Sequence, residues 1–386
     1  DATNMPATVY GFDGMGRGEG AAQFSLGYSS QDYSARISLG LFSPSLGSRG
    51  NKVMADGTYV ATKVGGALVY AGYLDHWWGP GWISALSLSN NARPMPQVGI
   101  ERMNTEASSW PVLRWLGPWQ FEFLVGMLDG PSRTPNTFYN GLRLTFHPVQ
   151  GLEIGLARTE EFCGQGHPCS PLRDYFSFNT IANNTNDEGV FDVKYSRMVA
   201  GIPAQVYVQL MNEDSSPFTR SGTTHLFGAT AFLPAPSNPV RVTLEYTDSV
   251  ATLDALSFGT VLHGFSYNNY SYLTGMRYRG RSLGFSLDSD SRLLSLQGSW
   301  TDAGGRFYEL SLHHAVISNP KIGIDNPAFY NAVTTAPVIA NIGEARVTLP
   351  LPGMMKLDVA ARLQDDRPRP SKGFAASLEA ALRVAF

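Results

Sequence analysis

Apolar and polar residues alternate with a period of two almost from one end of this chain to the other. Trp119, Phe121, Phe123, Val125 and Met127 form one wholly apolar face, while Gln120, Glu122 and Gly126 lie on the other. The pattern returns at 138–146, 152–156, 206–210, 240–246, 283–287, 308–312, 357–363 and 378–386. A period of two sends successive side chains to opposite faces of a β-strand, so the chain reads as all-β. The longest apolar stretches, such as 67–74, fall far short of the roughly 20 residues that a spanning helix needs.

Alternation alone also suits a soluble sandwich, whose apolar face meets a core. Composition separates the two. Charged residues are 16% of the 386, against roughly 25% in an average soluble domain, and 40 Gly accompany a 12% aromatic content. Disorder would need few aromatics and a high net charge, and the formal charge of −3 lacks the basic footprint of a nucleic-acid binder. Charges in mid-strand on the polar face, with aromatics near strand ends, describe a transmembrane antiparallel β-barrel with long extracellular loops. About 18 strands of ~10 residues fit the length, as one outer-membrane domain over residues 1–386 with no internal repeat.

The polar face gives the lumen. Its cations are Arg143, Lys194, Arg241, Arg277, Arg279, Arg346, Lys356, Arg362 and Arg383, and its anions Glu101, Glu122, Glu153, Asp192, Glu245, Glu309, Glu344, Asp358 and Glu379. A balanced set suits walls braced by ion pairs better than a pore selective for one sign of ion; solvated wall charges with no role are the other reading. Arg outnumbers Lys by 23 to 6, a bias that favours forked pairing with carboxylates, inside the barrel or on acidic sugars. Irregular stretches rich in Pro, Gly, Asn and Asp lie at 43–57, 77–96, 160–188, 247–270 and 317–340. These are the expected outward loops and hold most of the binding surface.

Cys163 and Cys169 flank a short Gly-rich run with His167 between them. A zinc site would need a fourth ligand, so no metal or cofactor is expected, and the oxidising export route favours a loop disulfide. No leader is visible at Asp1, which reads as the numbering of a processed chain. At the other end Leu378, Ala380, Leu382, Val384 and the terminal Phe386 alternate with smaller or polar residues. This resembles the C-terminal signal read by the barrel-assembly machinery of Gram-negative outer membranes. The expected surroundings are outer-membrane lipid and lipopolysaccharide.

Two further runs are more specific. Trp77, Trp78, Gly79, Pro80 and Gly81 are followed by Ser89, Asn90, Asn91, Ala92, Arg93 and Pro94. Together they resemble the best-marked stretch of the Wzi family of capsule assembly proteins. The loop of Gly164, Gly166 and Pro168, with His167 where an Arg is usual, agrees, as do Asn186, Phe191 and Asp192. Tyr278, Arg279, Gly280, Arg281 and Gly284, then Asp288 and Asp290, look like the family's Tyr-Arg-x-Gly-Arg strand and acidic turn. The chain departs at Asp187, Gly189 and Val190, which removes a Gln. The resemblance covers about 70–386 and implies an 18-stranded outer-membrane barrel that acts as a surface lectin for capsular polysaccharide. Members also carry a helical bundle near the N-terminus on the periplasmic side. Residues 1–60 are Gly-rich and strand-like, so that bundle is expected to be absent here.

Candidate polysaccharide contacts are Trp77, Trp78, Trp82, Asn90, Asn91, Arg93 and Arg102. Indole faces stack on sugar rings, amides offer donor and acceptor to hydroxyls, and an Arg fork takes a uronate carboxylate. The indoles equally suit a membrane-interface girdle, and the Asn residues a capped turn. Glu101 with Glu106 or Asp75 is the one carboxylate pair beside aromatics that a glycosidase reading could use, and a Gly-x-Ser-x-Gly elbow is absent; a binding protein is expected, not an enzyme. It would bind capsular or exopolysaccharide through Trp, Asn and Arg on its external face. The rival reading is an export conduit working with a periplasmic export protein, since a barrel without its bundle could hold a channel.

Overall fold

The computed structural model describes residues 21–42, 53–130, 132–169, 185–213, 222–253 and 259–385. Its strands are β1 (Ala21–Ser29), β2 (Tyr33–Phe42), β3 (Val53–Met54), β4 (Tyr59–Val64), β5 (Ala67–Tyr73), β6 (Pro96–Arg102) and β7 (Trp119–Leu128). There follow β8 (Thr137–Val149), β9 (Leu152–Phe162), β10 (Asn186–Val199), β11 (Ile202–Glu213), β12 (Thr223–Leu233), β13 (Val240–Thr252) and β14 (Val261–Leu262). The last are β15 (Arg277–Tyr278), β16 (Arg281–Ser282), β17 (Arg292–Thr301), β18 (Phe307–Ile317), β19 (Val338–Leu351), β20 (Met355–Gln364) and β21 (Ala375–Val384).

Each long strand pairs antiparallel with the next along the chain, giving one meander of 17 long strands to which β3 and β14 add short pieces. About 18 were expected. The ladder runs from β1 to β21 without a pairing between those two among the described residues, and Phe386 lies outside them. Curvature follows from the contacts of one residue. Trp78 donates its indole N–H to Glu122 on β7 and accepts from Gln209 on β11 through its carbonyl. Four strand spacings on a flat sheet span roughly 19 Å, so the wall bends around the residue that it holds.

The polarity of the wall is inverted relative to a soluble protein. Leu310 and Leu312 on β18, Leu294 and Leu296 on β17 and Leu244 on β13 point outward and are exposed. Their neighbours Ser311, His313, Ser295, Gln297 and Thr243 point inward and are buried. Water does not reward such an outer face, whereas hydrocarbon does. No helix among the described residues is long and apolar enough to cross a membrane; the strands are the spanning elements.

Two ends are distinguishable. Short turns join β8 to β9, β10 to β11 and β19 to β20 at one end, and the long loops leave from the other. The segment 103–118 is an exception, a long connection at the short-turn end. Within it Trp110 and Trp115 are exposed, and the Trp115 ring meets the outward Phe146 edge-on at 6.2 Å. That is where an interfacial indole belongs.

Ion pairs brace the inner wall from the short turns to mid-strand. Arg143 makes a two-pronged contact with Asp192 across two ladders, Lys194 meets Glu153 at 2.9 Å and Arg362 meets Glu344 at 3.1 Å. Toward the long loops the inward positions change character. On β18 they run Glu309, Ser311, His313, Ala315, Ile317, and on β19 from the opposite end Val338, Ala340, Ile342, Glu344, Arg346. The apolar half packs against two loops that fold back into the barrel, 74–95 and 263–291, forming a core of Trp78, Leu86, Tyr267, Phe285, Leu287, Ile317 and others. Arginine placed on the outward face should be poorly tolerated: Leu312→Arg is expected to cost ~2–4 kcal/mol near the bilayer midplane. Urea unfolding of the protein in lipid vesicles measures it.

Candidate functional site

The loop 74–95 enters the lumen because its sequence lets backbone pass against backbone. A Cβ on Gly81 would stand 2.1 Å from the Ser84 carbonyl oxygen, and one on Gly79 2.7 Å from the Gln209 amide; neither position accepts a larger residue without displacement. The resulting turn aims three successive N–H groups at one carboxylate. Glu245 Oε2 accepts from Trp82 N at 2.9 Å and Ile83 N at 3.3 Å, and Oε1 from Ser84 N at 2.7 Å. The Tyr207 hydroxyl donates to the same carboxylate at 2.7 Å. Gln209 spans the loop from the next strand but one, donating to the Trp78 carbonyl and accepting from Leu86 N.

The second loop is tied to the first. Ser89 N donates to the Leu283 carbonyl at 2.8 Å, Ser89 Oγ to the Gly284 carbonyl at 2.6 Å and Asn91 Nδ2 to the Ser282 carbonyl at 2.8 Å. Inside this loop Arg277 grips Asp288 with both ends of its fork, at 2.7 and 2.6 Å, and donates to the Tyr267, Thr274 and Tyr330 carbonyls. Burial opposes the charge on the fully buried Arg277 guanidinium, but Asp288 and Tyr330 beside it hold it above its ordinary value.

This corrects part of the sequence reading. Arg277 and Arg279 do not project from a wall strand, and 283–287 is not a strand. Arg277–Tyr278 and Arg281–Ser282 form a two-rung hairpin within the loop, whose central Arg279 and Gly280 both have positive φ, 51° and 81°, the signature of a tight primed turn. Alternating sequence was satisfied there by packing inside the barrel. Arg143, Arg241, Glu245 and Glu309 do lie on the inner wall, with Arg241 3.4 Å from Glu309.

The seven proposed sugar contacts separate into three groups. Trp78 and Asn91 are buried and hydrogen-bonded inside the packed loops, and Arg93 makes a two-pronged pair with Asp56 at 2.9 and 2.7 Å. Arg102 lies at the short-turn end, 3.9 Å above the Trp119 ring and donating to the Trp119 carbonyl. Trp77, Trp82 and Asn90 come together, but on the underside of the loop, where they line a lumenal cavity of about 510 Å³ with Lys194, Arg241 and Arg346. None of the seven forms the external surface that was expected of them, because the loop that carries most of them turns inward.

Among the described residues, the outer end carries Tyr270, Tyr330 and Arg133, which neither period nor motif singled out, and Arg279, which the motif did. Tyr270 is 61% exposed and lies against Phe329 at 4.9 Å, and the Arg133 guanidinium lies 5.8 Å from the Tyr330 ring. Arg279 lies 5.2 Å from the Tyr278 ring and 3.3 Å from Asp129. For Tyr270 and Tyr330 the available signal was their place inside irregular stretches. Nearby, Cys163 and Cys169 form the loop disulfide, with the His167 ring stacked on Tyr272 at 4.4 Å. Among the described residues no group of three His, Cys, Asp or Glu side chains could hold a metal ion.

A scan against protein-family models matches the Wzi capsule assembly protein model to residues 1–365. This chain belongs to the Wzi family of capsule assembly proteins. A Klebsiella pneumoniae protein described as an uncharacterized 55.8 kDa protein in the cps region is 27% identical over 234 residues, 59% of this chain and 46% of that one. The chain thus spans about half the length of the curated relative that it matches. Among solved structures, Escherichia coli Wzi, described as an outer-membrane, carbohydrate-binding β-barrel involved in group 1 capsule assembly, superposes with a TM-score of 0.82 at 23% identity, covering 97% of this chain and 81% of that one. Pseudomonas aeruginosa OprD follows at 0.54 and 11% identity, covering 94% and 90%. The fold is that of an outer-membrane β-barrel. The runs resembling Wzi, Trp77 to Gly81 and Ser89 to Pro94, are here largely the fastenings of the inward loop.

Two measurements test those fastenings. Glu245→Gln keeps the volume but removes the charge and one acceptor, and should destabilise the loop by about 3 kcal/mol, the scale of charged hydrogen bonds; faster amide exchange at 82–84 would register it. Asp75, at the root of the loop, has an exposed face, yet desolvation by the surrounding protein and the nearby Asp56 push its carboxyl up to about 6, with His76 opposing. A carboxyl raised in the folded state takes up a proton there first, so the loop gains stability as pH falls from 7 through 6 toward 4 and loses it on return. Exchange at 74–95, corrected for intrinsic rate, should slow over that window, and Asp75→Asn should remove the pH dependence.

Proposed function

We propose that this protein is an integral outer-membrane barrel that binds capsular polysaccharide on its outer surface and holds it at the cell. The observation that carries this reading is the packing of loops 74–95 and 263–291 inside the barrel. Beside them, at the outer end, lie Tyr270, Tyr330, Arg133 and Arg279, aromatic and guanidinium groups that suit sugar faces and uronates. Family membership and the description of Escherichia coli Wzi as carbohydrate-binding support it. The role is binding, without chemistry on the polymer: Glu245, Asp192, Glu344 and Asp288 are spent on backbone N–H groups and Arg forks. Lipid and lipopolysaccharide would meet the outward Leu band, and the barrel-assembly machinery would read the last strand and Phe386. A conduit working with a periplasmic export protein would require both loops to leave against the contacts described, and is the weaker reading.

The test is retention of polymer. With Tyr270→Ala, Tyr330→Ala and Arg133→Ala combined, binding of acidic capsular polymer to the purified protein should fall at least tenfold, and a deletion strain should make and export polymer but shed it into the medium. An unchanged surface coat in the deletion strain would sink the proposal. So would unchanged binding by the triple variant.

A further inference from the structure

The underside of loop 74–95 faces away from the outer surface, and it shows a feature that the packed upper half does not share. Trp78 is buried to 2% exposure, yet Trp77 and Trp82 on the same turn are 36% and 40% exposed. Both rings face a lumen whose wall at this level is polar. They are held there in fixed orientation: the Trp77 indole N–H donates to the Gly81 carbonyl at 2.9 Å, and Trp82 donates to Gln205 at 3.3 Å while the Arg241 guanidinium lies 4.2 Å from its ring. Rings displayed and immobilised in this way are preorganised for a flat apolar face presented by something that enters.

Charge indicates what enters. Trp77 stands between two chambers, since it lines both. The chamber of about 380 Å³ on the side of β5–β8 carries Arg102 and Arg143 against Glu101 and Glu122. The chamber of about 510 Å³ carries Lys194, Arg241 and Arg346 against Glu309 alone; Glu153 stands 2.9 Å from Lys194 at its edge. The balanced lumen is therefore divided locally into a neutral and a cationic compartment. The larger falls in the range of small-ligand sites. Arg241 and Glu309 sit two and three residues into their strands from the short-turn end, so the chamber lies toward that rim.

We propose that this chamber is a second carbohydrate site, which takes a short uronate-bearing oligosaccharide, with the Trp77 ring under a sugar face and Lys194, Arg241 and Arg346 around the carboxylates. The inference rests on the carbohydrate-binding reading above but assigns a different site, on the opposite face of the inward loop, with a preference for short acidic ligands.

The experiment uses the whole purified chain in detergent, trigalacturonate as the probe and maltotriose as the neutral control, with tryptophan fluorescence and calorimetry as readouts. Trigalacturonate should quench the fluorescence and bind at least tenfold more tightly than maltotriose, and its affinity should fall as salt is raised. Trp77→Leu should weaken it at least tenfold, and so should Lys194→Met with Arg346→Met, which leaves the inward loop untouched if the Trp77 variant fails to fold. The outer-surface triple variant should bind the oligosaccharide as before. No binding of trigalacturonate, equal binding of both sugars, or unchanged affinity in the Lys194 and Arg346 variant would overturn the proposal. If polymer binding by the unaltered protein persists in those cases, the surface reading stands and only the lumenal site falls; loss of polymer binding in the outer-surface variant alone supports two separate sites.

Discussion

The carboxylate of Glu245 is the point on which the interior depends. A loop drawn into a barrel brings unpaired backbone N–H groups with it, and burying them without partners costs about 1–3 kcal/mol each. Glu245 removes that obstacle for three consecutive residues at once, from a wall position 163 residues away from Trp82 in sequence. With the turn fixed, Trp78 reaches Glu122 and the buried core, Leu86 meets Tyr267 and Gly284, and Ser89 and Asn91 meet the second loop. Each contact presupposes the previous one, so the two loops behave as a single packed unit inside the wall.

Most of the wall was legible from the chain. A period of two cannot be satisfied by a helix, and a shortage of charge on one side of every strand needs a solvent other than water. Strands such as β7, β13 and β18 follow directly from Trp119 to Met127, Leu244 and Leu312. The inward loops were not legible, for a physical reason. Leu283, Phe285 and Leu287 alternate as strand residues do, yet they alternate because they pack against Leu86 and Tyr267 within the lumen. The same interior packing makes Ile317 and Ile342 apolar on the face that is polar lower down, so one alternation has two causes along its length.

The site residues show the same limit. Trp, Asn and Arg in conspicuous runs invited a ligand, and residue type alone cannot separate a group that grips sugar from one that grips backbone. Geometry does: Asn91 and Arg93 have their partners within the chain, whereas Trp77 and Trp82 present ring surface to a cavity. The surface aromatics Tyr270 and Tyr330 lack any motif, because their position is set by the long loops that carry them.

The inward loops also bear on how such a molecule can come into being. Loop 74–95 is anchored by both ends to β5 and β6, and besides the nearby Glu122 and Asp56 it has partners on β11, β13 and the second loop, made much later, at sequence separations of 123 to 195 residues. It cannot be inserted into a finished cylinder like a separate cork, nor can the cylinder be completed around it before β11, β13 and the second loop exist. The outer face must find lipid while the inner face is still acquiring its core, which ties membrane insertion and interior packing into one slow, late-committing event. A wall of local hairpins thus acquires the folding order of a globular protein, and the last elements made decide whether the first ones are buried.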